Sequence, residues 1–174
     1  MGHDAVEIDF VMPWVDGSDP AWREEFLKYR ALQAPQGEPA CDTGTAAGAV
    51  DASEERYRDW DTLRYWFRGV ERFAPWVNRI HFITWGHLPA WLDTAHPKLH
   101  VVRHADYIPS PYLPTFNSCP IELNMHRIEG LAEHFVYFND DTFLCRPVGP
   151  ERFFLNGLPR DAARLAVIPA ERCL

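Results

Sequence analysis

Basic residues are scarce in this sequence. Lys and Arg together number 17 against 25 Asp and Glu, a formal net charge of −8. A nucleic-acid partner needs a basic face to meet its phosphates, so this balance argues against DNA or RNA. Cysteine is sparse too: the four residues are Cys41, Cys119, Cys145 and Cys173, none in a CxxC pair. No histidine cluster completes a zinc pattern, and free thiols in a reducing compartment are expected. No apolar run reaches the roughly 18 residues of a membrane span. No apolar stretch precedes Asp9, so no signal peptide is expected. Repeats, heptads and lysine-rich runs are missing as well. The reading is a soluble, cytoplasmic protein, with the inner face of the membrane as the variant location.

What is present fits one ordered domain. A chain of 174 residues with 47% hydrophobic and 14% aromatic content is long enough to bury a real core. One stretch breaks the pattern. Residues 34 to 55 are rich in Ala, Gly, Pro and Thr without a period, and read as a flexible insertion inside the single domain 1–174.

On either side, strands alternate with helices. Residues 5 to 15 form a first strand candidate, with Pro13 marking the end of regular pairing. Trp22, Phe26 and Tyr29 recur at helical spacing behind an Asp19-Pro20 start signal. Leu63, Trp66, Phe67 and Val70 define a second helix, capped by Asp59 or Asp61 and stopped by Pro75. Strands follow at 79–84 and 99–104, with a short helical turn at Pro89 to Leu92 between them. A proline-rich loop then spans Asp106 to Pro120, and Ile121, Met125 and Ile128 predict a helix ended by Gly130. His134 to Phe138 read as a buried strand, and Leu165 to Ile168 as a last apolar run. This order predicts an α/β fold: a Rossmann-like, mostly parallel sheet with helices on both faces, incomplete at the C-terminus.

The chemistry-bearing residues cluster after strands. Asn139, Asp140 and Asp141 follow the His134 strand. Two adjacent carboxylates raise each other's pKa unless a cation compensates, and Mg²⁺ or Mn²⁺ is the usual partner of hard oxygen ligands. The same three residues also suit a plain polar turn. Asp16, Gly17 and Asp19 form a second acidic strand-end loop, where Gly17 can take φ > 0 and Asp19 can serve as a helix cap. Trp14 beside them is either core or a stacking surface for a base or sugar. Asn117 and Ser118 can cap the next helix. Arg64, His126 and Arg127 are each as readily solvated as functional.

Several of these stretches together resemble the Stealth family of sugar-phosphate transferases. The run from Ile8 to Pro20 is similar to the family's first block. The pieces RYRDWDTLRYWFRGVERFAPWVNRIHFIT, HPKLHVVRH, LPTFNSCPIELNMHRIEGL and FVYFNDDTF, between Arg56 and Phe143, are similar to its second. Pro13 departs from the family's usual small polar residue. Two later blocks, one with a histidine and one with basic residues, do not occur, so the expectation is a C-terminally truncated domain. The resemblance implies a glycosyltransferase-A-like sheet. It also implies transfer of hexose 1-phosphate from a nucleotide diphosphate sugar, typically a UDP-N-acetylhexosamine, to a glycan hydroxyl in capsular or exopolysaccharide synthesis. Asp140 and Asp141 are then the Mg²⁺ (or Mn²⁺) ligands, or one ligand and one general base. Asp19 and His126 are further catalytic candidates. Trp14, Asp16, Gly17, Arg64, Asn117, Ser118, Arg127 and Asn139 are candidates for substrate contacts. The expected partners are the nucleotide-sugar donor and a polysaccharide or glycan acceptor, with a homo-oligomer left open. The alternatives are a nucleotide-sugar glycosyltransferase, attacking the anomeric carbon, and an inactive donor-binding fragment.

Overall fold

The strand at Ile8–Trp14 (β1) sits at the centre of the structure, with six of its seven residues buried. The structure is a computed structural model, and it describes residues 6–33 and 57–161. The stretch 34–55 and the apolar run Leu165 to Ile168 lie outside the described residues. β1 is joined in parallel by Ile80–Thr84 (β2) on one side and His134–Tyr137 (β4) on the other. Leu99–Arg103 (β3) extends the sheet beyond β2, again parallel, so the order is β3-β2-β1-β4. This is the doubly wound arrangement, in which the direction of strand addition reverses between β1 and β4. β1 and β2 are covered on both faces and read as near-continuous apolar runs.

The two sheet faces carry separate cores. Phe10, Met12 and Trp14 pack with Phe82, Phe138 and the inner stripe of helix Leu63–Phe73 (α2): Leu63, Trp66 and Val70. Val11, Ile83 and Val102 pack on the opposite face with Tyr107, Ile108, Met125 and Ile128. Those four come from short helix His104–Tyr107 (α3) and the turns around helix Ser118–Leu123 (α4). Each fully buried apolar side chain contributes about 1.5–3 kcal/mol, so both faces are needed to hold the sheet. Helix Pro20–Gln33 (α1) does neither job. Its Trp22 and Phe26 join Tyr57 and Phe116 in an aromatic cluster with ring centroids 4.9–5.5 Å apart. That cluster clamps α1 and the Tyr57 segment against the proline-rich loop.

Several local expectations change. Pro13 does not end β1, because Pro13 pairs with Ile83 and Trp14 with Thr84. Ile8 and Phe10 bond toward β2, whereas Val11 accepts from Phe138 on the β4 side. Residue 13 therefore faces β4 beyond the last β1–β4 pair, Val11 with Tyr137, where no N–H is needed. β4 is half-buried rather than buried, since β1 is its only partner among the described residues. α2 starts behind Thr62 without a side-chain cap, and Asp59 accepts from the Asp61 N–H instead. The helix predicted around Ile121 to Ile128 begins at Ser118 and breaks at Asn124 into a single 3-10 turn, Met125–Arg127. Pro89 to Leu92 closes one hydrogen-bonded turn, not a helix. At the end, Phe154–Leu155 (β5) and Leu158–Pro159 (β6) make a small antiparallel hairpin. Its turn residues Asn156 and Gly157 have φ of 54° and 76°, the left-handed pair that a tight hairpin demands.

Candidate active site

In an open parallel sheet, ligands bind outside the carboxyl ends of the strands, where strand addition reverses. Here that place lies between the loop after β1 and the loop after β4. Two cavities meet there. The inner one, about 160 Å³, is lined by Trp14, Tyr57, His104, Asn117, Tyr137 and Asp140, among others. The outer cleft, about 360 Å³, is lined by Trp14, Arg58, Asp59, Trp60, Asp140 and Asp141, with Thr62 and Phe143. Asp140 and Trp14 belong to both. The outer cleft is charged. Among the residues just named, the inner one is neutral apart from Asp140.

The Asp140-Asp141 turn follows from its neighbours. Phe138 is still bound to β1 through its N–H, and the Thr142 N–H closes back on the Asn139 carbonyl at 3.0 Å. The two carboxylates between them project into solvent-facing space. Partial burial and the neighbouring Asp141 hold the Asp140 carboxyl above the ordinary range, with Asp59 adding to the effect. Asp59 therefore lines the cleft beside Asp140, where the sequence offered it only as a helix cap. A short Asp-rich run before α2 carried no signal that distinguished the two roles. Arg58 lies in the same cleft and stacks over Trp60 at 4.3 Å. Tyr137, which enters the inner cavity, donates its hydroxyl to Glu122 at 3.1 Å. Burial and that carboxylate push its pKa up, so it stays a neutral phenol.

The loop after β1 is built tightly. Asp16 Oδ1 accepts from both the N–H and the hydroxyl of Ser18. Asp19 Oδ1 accepts from the Trp22 N–H, so Asp19 caps α1. Gly17 donates its N–H to the Tyr57 carbonyl at 2.7 Å. A Cβ there would come within 2.7 Å of Tyr57 Cβ, so close approach, not a positive φ, requires glycine. A 480 Å³ cleft beside this loop runs along α1 to Arg58 and Asp59.

The loop after β2 supplies residues that the sequence did not announce. The buried Thr84 hydroxyl donates to the His87 carbonyl and accepts from the Gly86 N–H. Gly86 has φ of 152°, which favours glycine. The loop so fixed aims His87 Nε2 at the Asp16 N–H, 2.9 Å away. His104, directly after β3, is buried against the inner cavity. Burial and His87 lower its pKa to about 4.

The predicted residues thus divide. Trp14, Asn117, Ser118, Asn139 and Asp140 line the inner cavity together. Asp141 joins the outer cleft, and Asp16 and Gly17 line the cleft along α1. Asn117 also caps α4 by accepting from the Cys119 N–H. Asp19 works as a helix cap. Arg64 is on the surface, with its guanidinium 5.1 Å from the Trp91 ring centre. His126 is exposed and bonds the Leu123 carbonyl, and Arg127 is exposed beside it. None of these last three lines either cavity at the strand ends. Among the described residues, no helix is long and apolar enough to cross a membrane, and Cys119 and Cys145 are free thiols.

Comparison with known proteins now adds identity to this geometry. Residues 6–32 match the family model for Stealth protein CR1, conserved region 1, and residues 56–161 match that for Stealth protein CR2, conserved region 2. The chain is similar to a capsular polysaccharide phosphotransferase WcwK of Streptococcus pneumoniae, 54% identical over 153 residues, covering 88% of this chain and 43% of the relative. It is similar to the receptor polysaccharide phosphotransferase WefC of Streptococcus oralis, 46% identical over 173 residues, covering 95% of this chain and 47% of the relative. It is similar to the capsular polysaccharide phosphotransferase CpsJ of Streptococcus thermophilus, 47% identical over 156 residues, covering 88% of this chain and 60% of the relative. The chain spans about half the length of the curated relatives it matches.

Proposed function

The chain belongs to the Stealth protein family, and from that premise we propose that its strand-end clefts serve the transfer of hexose 1-phosphate. The donor is a nucleotide diphosphate sugar, a UDP-N-acetylhexosamine, and the acceptor is a sugar hydroxyl of a capsular or exopolysaccharide. The product is a phosphodiester, and the nucleoside monophosphate leaves. We place the reaction in the cytoplasm or at the inner face of the membrane. The observation that supports this reading best is the placement of Asp140 and Asp141, with Asp59 and Arg58, where strand addition reverses between β1 and β4.

The carboxylate pair fits a hard divalent cation, Mg²⁺ or Mn²⁺. The upward shift of Asp140 comes first from partial burial and then from Asp141, with Asp59 adding to it, and a cation would relieve it. Among the described residues, no group of three His, Cys, Asp or Glu converges to hold an ion alone. Mg²⁺ commonly takes one or two carboxylates and completes its shell with water and substrate phosphate. When bound, the ion offsets the charge that develops on the transferring phosphoryl group.

The chain's own residues do the rest. Arg58, which lines the same cleft as the carboxylates, offers its guanidinium to the donor phosphates. The acceptor hydroxyl oxygen bonds to the sugar-bearing phosphorus, the bond from that phosphorus to the bridging oxygen breaks, and UMP departs. The hydroxyl proton passes to a carboxylate of the pair; we assign that role to Asp140, which lines both cavities, and leave Asp141 as a cation ligand. The experiment incubates the full-length protein with candidate UDP-sugars, Mg²⁺ and acceptor glycan, and identifies the released nucleotide. UMP supports the reading; UDP sinks it, because glycosyl transfer from the anomeric carbon releases the whole diphosphate.

A further inference from the structure

Among the described residues, four buried side-chain polar atoms have no hydrogen-bond partner: Trp14 Nε1, Trp66 Nε1, His87 Nδ1 and His104 Nδ1. Two of the four, on Trp14 and His104, belong to one cavity, and His87 packs against Trp14 without lining it. The Trp14 and His87 rings lie 5.1 Å apart. Trp14 and His104 line the same inner cavity, with relative exposures of 7% and 8%. His87 and His104 feel each other electrostatically. Orphaned buried polar groups are costly, so they call for a ligand or ordered water to offset them.

Their hydrogen-bonding capacity is specific. His87 Nε2 accepts from the Asp16 N–H, so that nitrogen carries no proton and the neutral ring holds its proton on Nδ1. The orphan on His87 is therefore a donor, as is the indole N–H of Trp14. The neutral His104 imidazole carries one protonated and one unprotonated nitrogen, so with Trp14 it can both donate and accept. A hydroxyl, which accepts and donates at once, suits that pair. A phosphate does not, because no Lys or Arg lines this cavity. Burial lowers the pKa of both imidazoles, which keeps them uncharged near neutrality.

We propose that Trp14 and His104, with His87 packed against Trp14, form a neutral subsite that holds a hydroxyl of a substrate sugar ring inside the inner cavity. Asn117, Ser118 and Tyr137 line the same cavity and surround the ring with further polar atoms. The proposal deepens the phosphotransfer reading and rests on it for the assignment to a substrate. It divides the site by charge: phosphates and cation in the outer cleft, sugar in the inner one.

The test uses the 174-residue chain itself, labelled with ¹⁵N-histidine, and needs no donor, metal or turnover. Long-range ¹H–¹⁵N spectra follow the ring nitrogens of His87 and His104 during titration with N-acetylglucosamine, and separately with inorganic phosphate. Saturable shifts of the His104 ring nitrogens with the sugar, and none with phosphate, are expected. His104→Asn and His104→Phe weaken the sugar about threefold to tenfold, the effect of one lost hydrogen bond. Thermal melts confirm that each variant folds, and at least one folded variant carries the comparison. Absence of saturable sugar shifts, shifts driven by phosphate, or unchanged sugar affinity in a folded His104 variant each overturns the subsite and leaves ordered water as the partner. Release of UDP in the turnover assay alongside clean sugar shifts would remove the phosphotransfer reading and keep the sugar subsite.

Discussion

Replacing Asp9 tests the polar centre of the fold. Asp9 is fully buried in β1 and accepts three hydrogen bonds: from Asn78 Nδ2 at 2.8 Å, His81 Nε2 at 2.8 Å and the Ala132 N–H at 2.9 Å. These tie β1 to β2 and to the segments entering β2 and β4. His81 in turn meets His100 of β3 through their Nδ1 atoms, 3.0 Å apart, so the network crosses three strands. Asp9→Ala removes the acceptor and keeps the donors. Asn78 is exposed and recovers water, whereas His81 and the Ala132 N–H do not recover it easily. Each of the two unsatisfied buried groups costs about 1–3 kcal/mol, which puts the loss near 2–6 kcal/mol. A domain of this size has about 5–15 kcal/mol in total, so the variant loses a substantial part of its stability. Asp9→Asn keeps the shape and one acceptor oxygen and loses less. Urea unfolding followed by tryptophan fluorescence reads both, with unchanged m-values expected. A loss below about 1 kcal/mol for Asp9→Ala would refute the reasoning, because it would mean that the donors find other partners.

The site makes further predictions. The pKa of His104 lies near 4 in the folded chain and near 6.5 when unfolded, so the unfolded chain takes up a proton that the folded one refuses. Its contribution is complete above about pH 6.5 and is lost as pH falls toward about 4, an upper bound of about 3 kcal/mol; His104→Phe should flatten that part of the stability profile in denaturant titrations. Asp140→Asn and Asp141→Asn should each abolish turnover in the full-length protein while leaving the melting temperature unchanged or slightly raised, as like-charge repulsion is relieved. Calorimetric Mg²⁺ titration in the presence of donor should show the same loss, and near-normal activity in either variant would remove that residue from the site. Gly17→Ala should cost about 1–3 kcal/mol, as overpacking does, because the new methyl meets Tyr57 at 2.7 Å. Unchanged stability would show that the Tyr57 segment yields freely.

The strands were legible because β1 and β2 are largely apolar on both faces; β2, β3 and β4 fall within a residue of the boundaries expected, whereas β1 begins at Ile8, three residues later than expected. The α/β class followed from their alternation with helices. Strand order was not legible: nothing in the four runs says that β4 adds beside β1 and not beyond β3, and that choice creates the cleft. Pro13 misled because its missing N–H matters only on the side where β4 has already ended. The helix after Asn117 misled because Met125 and Ile128 keep helical spacing and are buried, yet sit in a 3-10 turn and beyond it. Asp140, Trp14 and Asn117 were legible as strand-end or loop residues of the right type. His87 and His104 were not. A single histidine after a strand carries no local signal, and only the orphaned nitrogens in three dimensions mark the pair.

The central claim is attack at the sugar-bearing phosphorus, and an isotope placed on that atom tests it most directly. A UDP-sugar labelled with ³²P at the phosphate attached to the sugar is incubated with the full-length protein, Mg²⁺ and acceptor glycan. Label recovered in the glycan, in a phosphodiester resistant to phosphatase, is the predicted result. Label recovered in the nucleotide, with unlabelled sugar joined to the glycan, would contradict the account.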